Sequence, residues 1–175
     1  MKKPLFSTLS AAMLTLAAPL PLSAEGHEVE AYSAPLLECF EAAKSTTARA
    51  ACKGVMSTAC MEREEAGYST YGMVRCTAAE TEIWDAFLNT AYQAQMQHMR
   101  AQDTLEAETF PEFAKRSEAL RDAQRAWIAF RDGECGLAYA MWGSGSMRQI
   151  AGASCVMEMT ADRALTLESL GEEMR

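Results

Sequence analysis

The sequence has few of the residues that hold metals or haem. Its only histidines are His27 and His98, and no two of its cysteines have the Cys-x-x-Cys spacing. Structural zinc sites need clustered cysteine and histidine ligands, and haem attachment needs Cys-x-x-Cys-His. The twelve methionines are scattered rather than paired, which argues against a copper site. We therefore expect no metal and no other cofactor.

The signatures of the common hydrolases and nucleotide-binding enzymes are also missing. The sequence contains no Gly-x-Ser-x-Gly motif and no phosphate-binding loop. Acidic residues are plentiful, but acids without a companion base or a metal set do not define a catalytic site. We therefore expect no catalytic residues and no enzyme. An uncharacterised hydrolase is kept as the least favoured alternative.

The amino terminus has the organisation of a secretory signal peptide. Lys2 and Lys3 precede an apolar stretch over residues 5–22, and Leu22-Ser23-Ala24 supplies small residues at the positions that a signal peptidase reads. Pro19 and Pro21 interrupt the stretch, which argues against a retained membrane anchor. We predict a signal peptide over residues 1–24, cleavage near Ala24, and a periplasmic or secreted protein without membrane insertion.

The charge balance bears on the partners of the exported chain. The sequence carries 16 basic and 24 acidic residues; without the two lysines of the leader, 14 basic residues face 24 acidic ones, a net charge of −10. Such a field repels nucleic acid and anionic lipid and favours a basic partner. The alternative is that the charge serves solubility alone.

The six cysteines all lie after the predicted leader. An even number in an oxidising compartment indicates three disulfides. Sequence alone does not decide among the pairings that six cysteines allow. Order along the chain favours the three local bridges Cys39–Cys52, Cys60–Cys76 and Cys135–Cys155.

Helical spacing dominates the rest of the chain, and no strand pattern is sustained. We expect a flexible tail over residues 25–34, a helical extension over 35–57 and a helical domain over 58–172. Within this domain we predict long helices at about 74–102, at 111–142 beginning near Pro111, and at 147–170. The predicted fold is all-α, a small disulfide-linked bundle with a long helical hairpin.

One predicted helix has polar residues on its own core-facing side. A heptad places Phe113, Leu120, Trp127 and Glu134 at one core position, and Ser117, Gln124, Arg131 and Ala138 at the other. A buried amide or guanidinium needs partners to offset its desolvation. The sequence therefore predicts a polar network between the last two helices, although these residues could instead form a ligand site. Its members are Gln124, Arg131, Asp132, Thr160 and Arg163.

An ordered set of motifs spans roughly residues 58–170. Its members are Met73-x-x-Cys76, Glu80, Trp84-Asp85, Leu88-Asn89, Tyr92, Leu120-Arg121-x-Ala123-Gln124-x-Ala126-Trp127, Phe130-Arg131-Asp132-x-x-Cys135, Gly145-Ser146-Met147-Arg148, Cys155, Thr160 and Arg163. Taken together, these motifs resemble the LprI-type lysozyme inhibitors.

The resemblance implies an exported inhibitor that acts on lysozyme or another basic exported protein. Lysozymes use two carboxyl groups in a cleft, so an inhibitor needs a rigid loop that brings hydrogen-bond donors to them. The candidate residues for such a loop are Ser144, Ser146 and Arg148, in the Gly/Ser-rich turn over residues 143–148. The glycines could instead serve only to reverse the chain. A cell-envelope binding or scaffold module without inhibitory activity is the alternative function.

Overall fold

The computed structural model describes residues 25–173, with side chains placed for residues 31–171. The elements are α1 (Glu25–Ala42), α2 (Thr46–Ala50), α3 (Val55–Arg63), α4 (Thr70–Ala107), a 3-10 turn (Pro111–Phe113), α5 (Arg116–Ala140) and α6 (Met147–Glu173). No strand occurs among the described residues. The predicted all-α, disulfide-linked bundle with a long helical hairpin is confirmed. The predicted signal peptide lies outside the described residues.

The long helix α4 organises the bundle, and its packing against α6 is the most extensive contact between two helices. Trp84 of α4 is fully buried. It meets the rings of Phe40 and Phe87 edge-on, at centroid distances of 5.8 and 5.6 Å. Leu36, Leu88 and Leu167 complete this part of the core. The edge-on contacts of Trp84 are an arrangement that aromatic pairs favour. The core thus joins α1, α4 and α6.

The chain runs up and down through the last three helices. Asp103 near the end of α4 accepts hydrogen bonds from the amides of Arg116 and Ser117, so α5 starts where α4 ends. The Cys135–Cys155 bridge joins the end of α5 to the start of α6. Helix α6 therefore runs parallel to α4, and the N-termini of both helices point to the same end of the bundle.

Helix α4 is longer than predicted, at Thr70–Ala107 instead of about 74–102. Two further differences concern where helices start. Residues 25–34 were expected to be a flexible tail, but helix α1 starts at Glu25. The predicted helix start near Pro111 is also wrong, because Pro111 opens a short 3-10 turn and α5 starts at Arg116. Asp103 explains the second difference, since its carboxylate binds the first amides of α5 and so fixes where that helix begins.

The core-facing side of α5 follows the predicted heptad through its middle and departs from it at both ends. Leu120 and Gln124 are buried and Trp127 is half-buried, whereas Glu134 is exposed and Cys135 is buried in its place. An α-helix has 3.6 residues per turn, so a strict seven-residue repeat drifts around its surface. Phe113 is exposed because it precedes the helix.

Candidate functional site

The turn over residues 143–148, called here the 143–148 turn, reverses the chain between α5 and α6. Gly143 has a φ of +51°, in the left-handed region that favours glycine. The amide of Gly145 donates to the carbonyl of Trp142 at 2.9 Å. Ser144 and Ser146 are exposed at the tip. The sequence thus forms a tight protrusion at one end of the bundle.

A disulfide holds the two helices that carry this turn. Cys135 and Cys155 have their Cα atoms 5.4 Å apart. Further towards the turn, a Cβ added at Gly152 would meet the ring of Tyr139 at 3.4 Å, so the two helices remain in contact beyond the bridge. Restraining a binding loop before it meets its partner reduces the ordering cost of binding.

Arg148 is the only charged residue of the turn, and it is half-buried. Its guanidinium carbon lies 5.4 Å from the centroid of the Tyr139 ring. Its Nη1 atom donates to the carbonyl of Gly143 at 3.4 Å, a long hydrogen bond. The guanidinium therefore supports the turn and keeps other N–H groups available.

Backbone donors add to this arrangement. In the described part of the chain, the amides of Ser144, Ser146 and Met147 make no backbone–backbone hydrogen bond. The first amides of any helix lack partners within that helix and attract anions. The 143–148 turn thus presents amides, two hydroxyls and one guanidinium in a small region.

Sequence reasoning missed the apolar side chains around the turn. Met141 and Trp142 are 76% and 51% exposed, and Leu137 and Met147 are also exposed. Contiguous exposed apolar residues mark interaction sites, and tryptophan and methionine are enriched in protein interfaces. The sequence did contain a signal for this exposed apolar group. Trp142 directly precedes Gly143, at the end of a predicted helix and away from its core-facing side.

The residues of the predicted polar network fall into two groups. Arg163 donates through Nε to Oε1 of buried Gln124 at 2.9 Å. Arg131 instead binds exposed Asp132, its neighbour in the chain, at 2.9 Å. The ring of Trp127 lies between the groups, 5.2 Å from the guanidinium carbon of Arg131 and 5.8 Å from that of Arg163.

Thr160 does not join either group. It is fully buried, and its hydroxyl finds no hydrogen-bond partner in the described part of the chain.

Burial lowers the pKa of the Arg163 guanidinium, because a low-dielectric environment disfavours its charged form. The placement of Arg163 and Gln124 between α5 and α6 indicates a role in packing the hairpin.

The disulfides in the structure are Cys39–Cys52, Cys60–Cys76 and Cys135–Cys155, the pairing that chain order favoured. Residues 31–171, whose side chains the structure describes, include no cluster of three or more His, Cys, Asp or Glu side chains arranged to hold a metal ion. Over residues 25–173, no helix is both long enough and apolar enough to cross a membrane.

Comparison with known proteins places the chain in a family. Residues 60–167 match the family model described as lysozyme inhibitor LprI. An uncharacterized protein of Rhizobium meliloti (strain 1021) is 36% identical over 97 residues, which cover 55% of this chain and 70% of that protein. No solved structure gives a significant match. Because the family match spans more than half of the sequence, the chain belongs to the LprI family of lysozyme inhibitors.

Proposed function

We propose that this protein is an exported inhibitor of lysozyme-like peptidoglycan hydrolases, and that the 143–148 turn enters the catalytic cleft. The family supports a lysozyme-like partner. The observation that carries the proposal is the exposed turn between two helices joined by the Cys135–Cys155 bridge. A protruding, restrained loop has the shape that blocking a concave site requires.

The chemistry of the turn suits a site built from carboxyl groups. Glycosidases hold two carboxyl groups on either side of the bond that they cleave. Arg148 donates in a planar fork that matches a carboxylate, and the amides at the start of α6 favour the same charge. Ser144 and Ser146 add short donors that cost little entropy to fix. Trp142 and Met141 supply apolar contact beside these polar groups.

The proposed location is the periplasm or the extracellular space. Three disulfides fit an oxidising compartment, and a lysozyme inhibitor meets its target outside the cytoplasm. The predicted signal peptide over residues 1–24, cleaved near Ala24, would supply the export route. No catalytic role is proposed for any residue, and the family description names an inhibitor.

The test is lysis of a peptidoglycan suspension, followed as turbidity, with c-type, g-type and i-type lysozymes. We expect the purified protein to slow lysis by at least one class. The double variant Ser146→Ala/Arg148→Ala should abolish inhibition and keep the circular dichroism spectrum of the wild type. Arg125→Ala is the matched control, because Arg125 is strongly exposed on α5, away from the turn.

The outcomes separate the candidate functions. Full inhibition by the double variant would move the inhibitory site away from the 143–148 turn. A wild-type protein that inhibits no class of lysozyme would contradict the inhibitor function and favour the envelope-binding module. That module should then bind an exported protein or insoluble peptidoglycan in a sedimentation assay.

A further inference from the structure

Residues 66–72, called here the tyrosine loop, form a second protrusion that the function proposed above does not use. It comprises the last residues of the connection between α3 and α4 and the start of α4, and its side chains Tyr68 and Tyr71 are 65% and 74% exposed. Its sequence is Ala-Gly-Tyr-Ser-Thr-Tyr-Gly. Antibody binding loops favour the same residue types, because tyrosine supplies a large contact area and has few torsions to fix.

The tyrosine loop, like the 143–148 turn, has a disulfide at its base. The Cys60–Cys76 bridge joins α3 to α4 on either side of it. A Cβ added at Gly67 would lie 2.1 Å from the carbonyl oxygen of Met61, and one at Gly72 would lie 2.2 Å from that of Ala66, so the backbone packs on itself. Ser69 caps α4 by accepting from the amide of Gly72 at 3.0 Å.

Glu64 ties the same region to two other helices. It accepts a hydrogen bond from the hydroxyl of Tyr32 on α1 and pairs with Arg75 of α4 at 3.0 Å. The pKa of the Glu64 carboxyl is lowered mainly by the hydrogen bond from Tyr32, and Arg75 adds to this effect. The base of the tyrosine loop is therefore fixed by covalent, ionic and hydrogen-bonding contacts.

The tyrosine loop and the 143–148 turn lie at the same end of the bundle. Helices α4 and α6 run parallel, and Gly171 of α6 lies directly against the side chain of Gln95 of α4. Counting back from this contact, Thr70 starts α4 25 residues earlier and Met147 starts α6 24 residues earlier. At about 1.5 Å per residue both starts lie about 37 Å from the contact. Packed helices are about 8–10 Å apart where they touch, which puts both helix starts within reach of one folded protein.

Interface size gives a reason for both protrusions to serve one partner. A stable protein–protein interface takes about 20–30 residues from each side, far more than a six-residue turn offers. Tyrosine and tryptophan dominate binding energy in interfaces and methionine is enriched there, and such side chains are exposed on or beside the two protrusions. They are Tyr68, Tyr71, Met141, Trp142 and Met147.

We propose that the tyrosine loop and the 143–148 turn form one binding surface for a basic, folded protein, with the turn in its cleft and the tyrosines against the rim. This inference rests on the proposed inhibition of lysozyme-like hydrolases and assigns the second half of the contact. The charge of the chain suits such a partner, since its net charge is −8 and the exposed acids Glu62 and Glu65 precede the tyrosine loop. The overall negative charge raises the rate at which a basic protein meets the molecule.

The test compares two pairs of exposed aromatic residues at opposite ends of the bundle. Tyr68→Ala/Tyr71→Ala removes the rings of the tyrosine loop. The control Phe110→Ala/Phe113→Ala removes two rings, 51% and 64% exposed, at the connection between α4 and α5. The inhibition constant and the dissociation constant are measured for each full-length variant with the lysozyme class that the wild type inhibits. We expect the tyrosine variant to bind at least ten-fold more weakly, with less than a two-fold change for the control.

Each other outcome overturns the shared surface. A tyrosine variant that binds and inhibits like the wild type would restrict the contact to the 143–148 turn and leave the proposed function intact. An equal loss in the phenylalanine control would show that the effect is not specific to this end. If the tyrosine variant inhibits normally but no longer sediments with insoluble peptidoglycan, the loop binds glycan instead. A wild type that binds no lysozyme contradicts the proposed function itself, and this surface with it.

Discussion

The carboxylate of Glu80 accepts a hydrogen bond from the indole nitrogen of Trp84, one turn further along α4, at 3.0 Å. The same carboxylate accepts from the amides of Gly54 and Ser57, at 2.7 and 2.8 Å. Because Gly54 has no side chain to cap α3, a residue of another helix accepts from the amide of this N-cap residue and from that of Ser57 in the first turn of α3. Glu80 is fully buried and thereby fixes the side chain of Trp84 and the position of α3 together.

Glu80→Gln should lower the free energy of unfolding by about 1–3 kcal/mol, because the amide nitrogen of glutamine would face a donor that the carboxylate now satisfies. Urea or guanidinium titration followed by circular dichroism measures the loss. Glu82→Gln is the matched control, since Glu82 is exposed on the same helix, and it should change stability by less than about 0.5 kcal/mol. Equal stabilities of the two variants would contradict the capping role.

Asp103 caps α5 in the same manner and makes stability depend on pH. Hydrogen bonds from the backbone and side chain of Ser117, the backbone bond being the main cause, and from the backbone of Arg116 lower the pKa of the Asp103 carboxyl. A carboxyl whose pKa is lower in the folded state stabilises the fold above its unfolded pKa of about 3.9 and loses this effect as pH falls through the folded value. The Asp103→Asn variant should therefore have a lower melting temperature than the wild type at pH 7. This difference in melting temperature should be smaller at about pH 3.

Thermal unfolding at the two pH values checks this. Asp122→Asn, at an exposed position of α5, serves as the control and should follow the wild type at both. A gap between Asp103→Asn and the wild type that stays constant from neutral to acidic pH would rule out the linkage.

The capping carboxylates of Glu80 and Asp103 show which kind of contact could not be predicted from this sequence. Amphipathic spacing and cysteine order depend on neighbours in the chain, so they predicted the helices and favoured the pairing that the structure shows. Glu80 and Asp103 act on helices 26 and 14 residues away from them in sequence, and no local signal announces such a contact. The start of α5 was misplaced for that reason.

The polar side of α5 was predicted as one network, and the structure divides its members. Buried Gln124 accepts a hydrogen bond from Arg163. Arg131 binds Asp132 instead, and Thr160 joins neither pair. A heptad assigns a face to each residue but not the reach of a long side chain. In the candidate site, the sequence identified the turn through its glycines, whereas Trp142 became noticeable only once its exposure was known.

Arg163→Met should destabilise the protein by about 1–3 kcal/mol, because it leaves the buried oxygen of Gln124 without its donor. Arg131→Met should cost less than about 1 kcal/mol, since its partner Asp132 is exposed and remains hydrated. Arg125→Met, at a strongly exposed position, should have almost no effect. Denaturant titration of the three variants gives the ranking, and a larger loss for Arg131→Met than for Arg163→Met would contradict the observed pairing.

Removing single disulfides should separate stability from inhibition. Cys135→Ser/Cys155→Ser opens the base of the 143–148 turn, whereas Cys39→Ser/Cys52→Ser opens a loop between α1 and the residues after α2. Each pair should cost about 2–4 kcal/mol of stability, because each bridge restricts the unfolded chain. Only the first should also raise the inhibition constant, by about ten-fold or more, since it frees the turn to move before binding. Turbidity assays well below the melting temperature of both variants make the comparison. Equal loss of inhibition in the two variants would mean that the Cys135–Cys155 bridge stabilises the bundle in general and does not prepare the turn for its target.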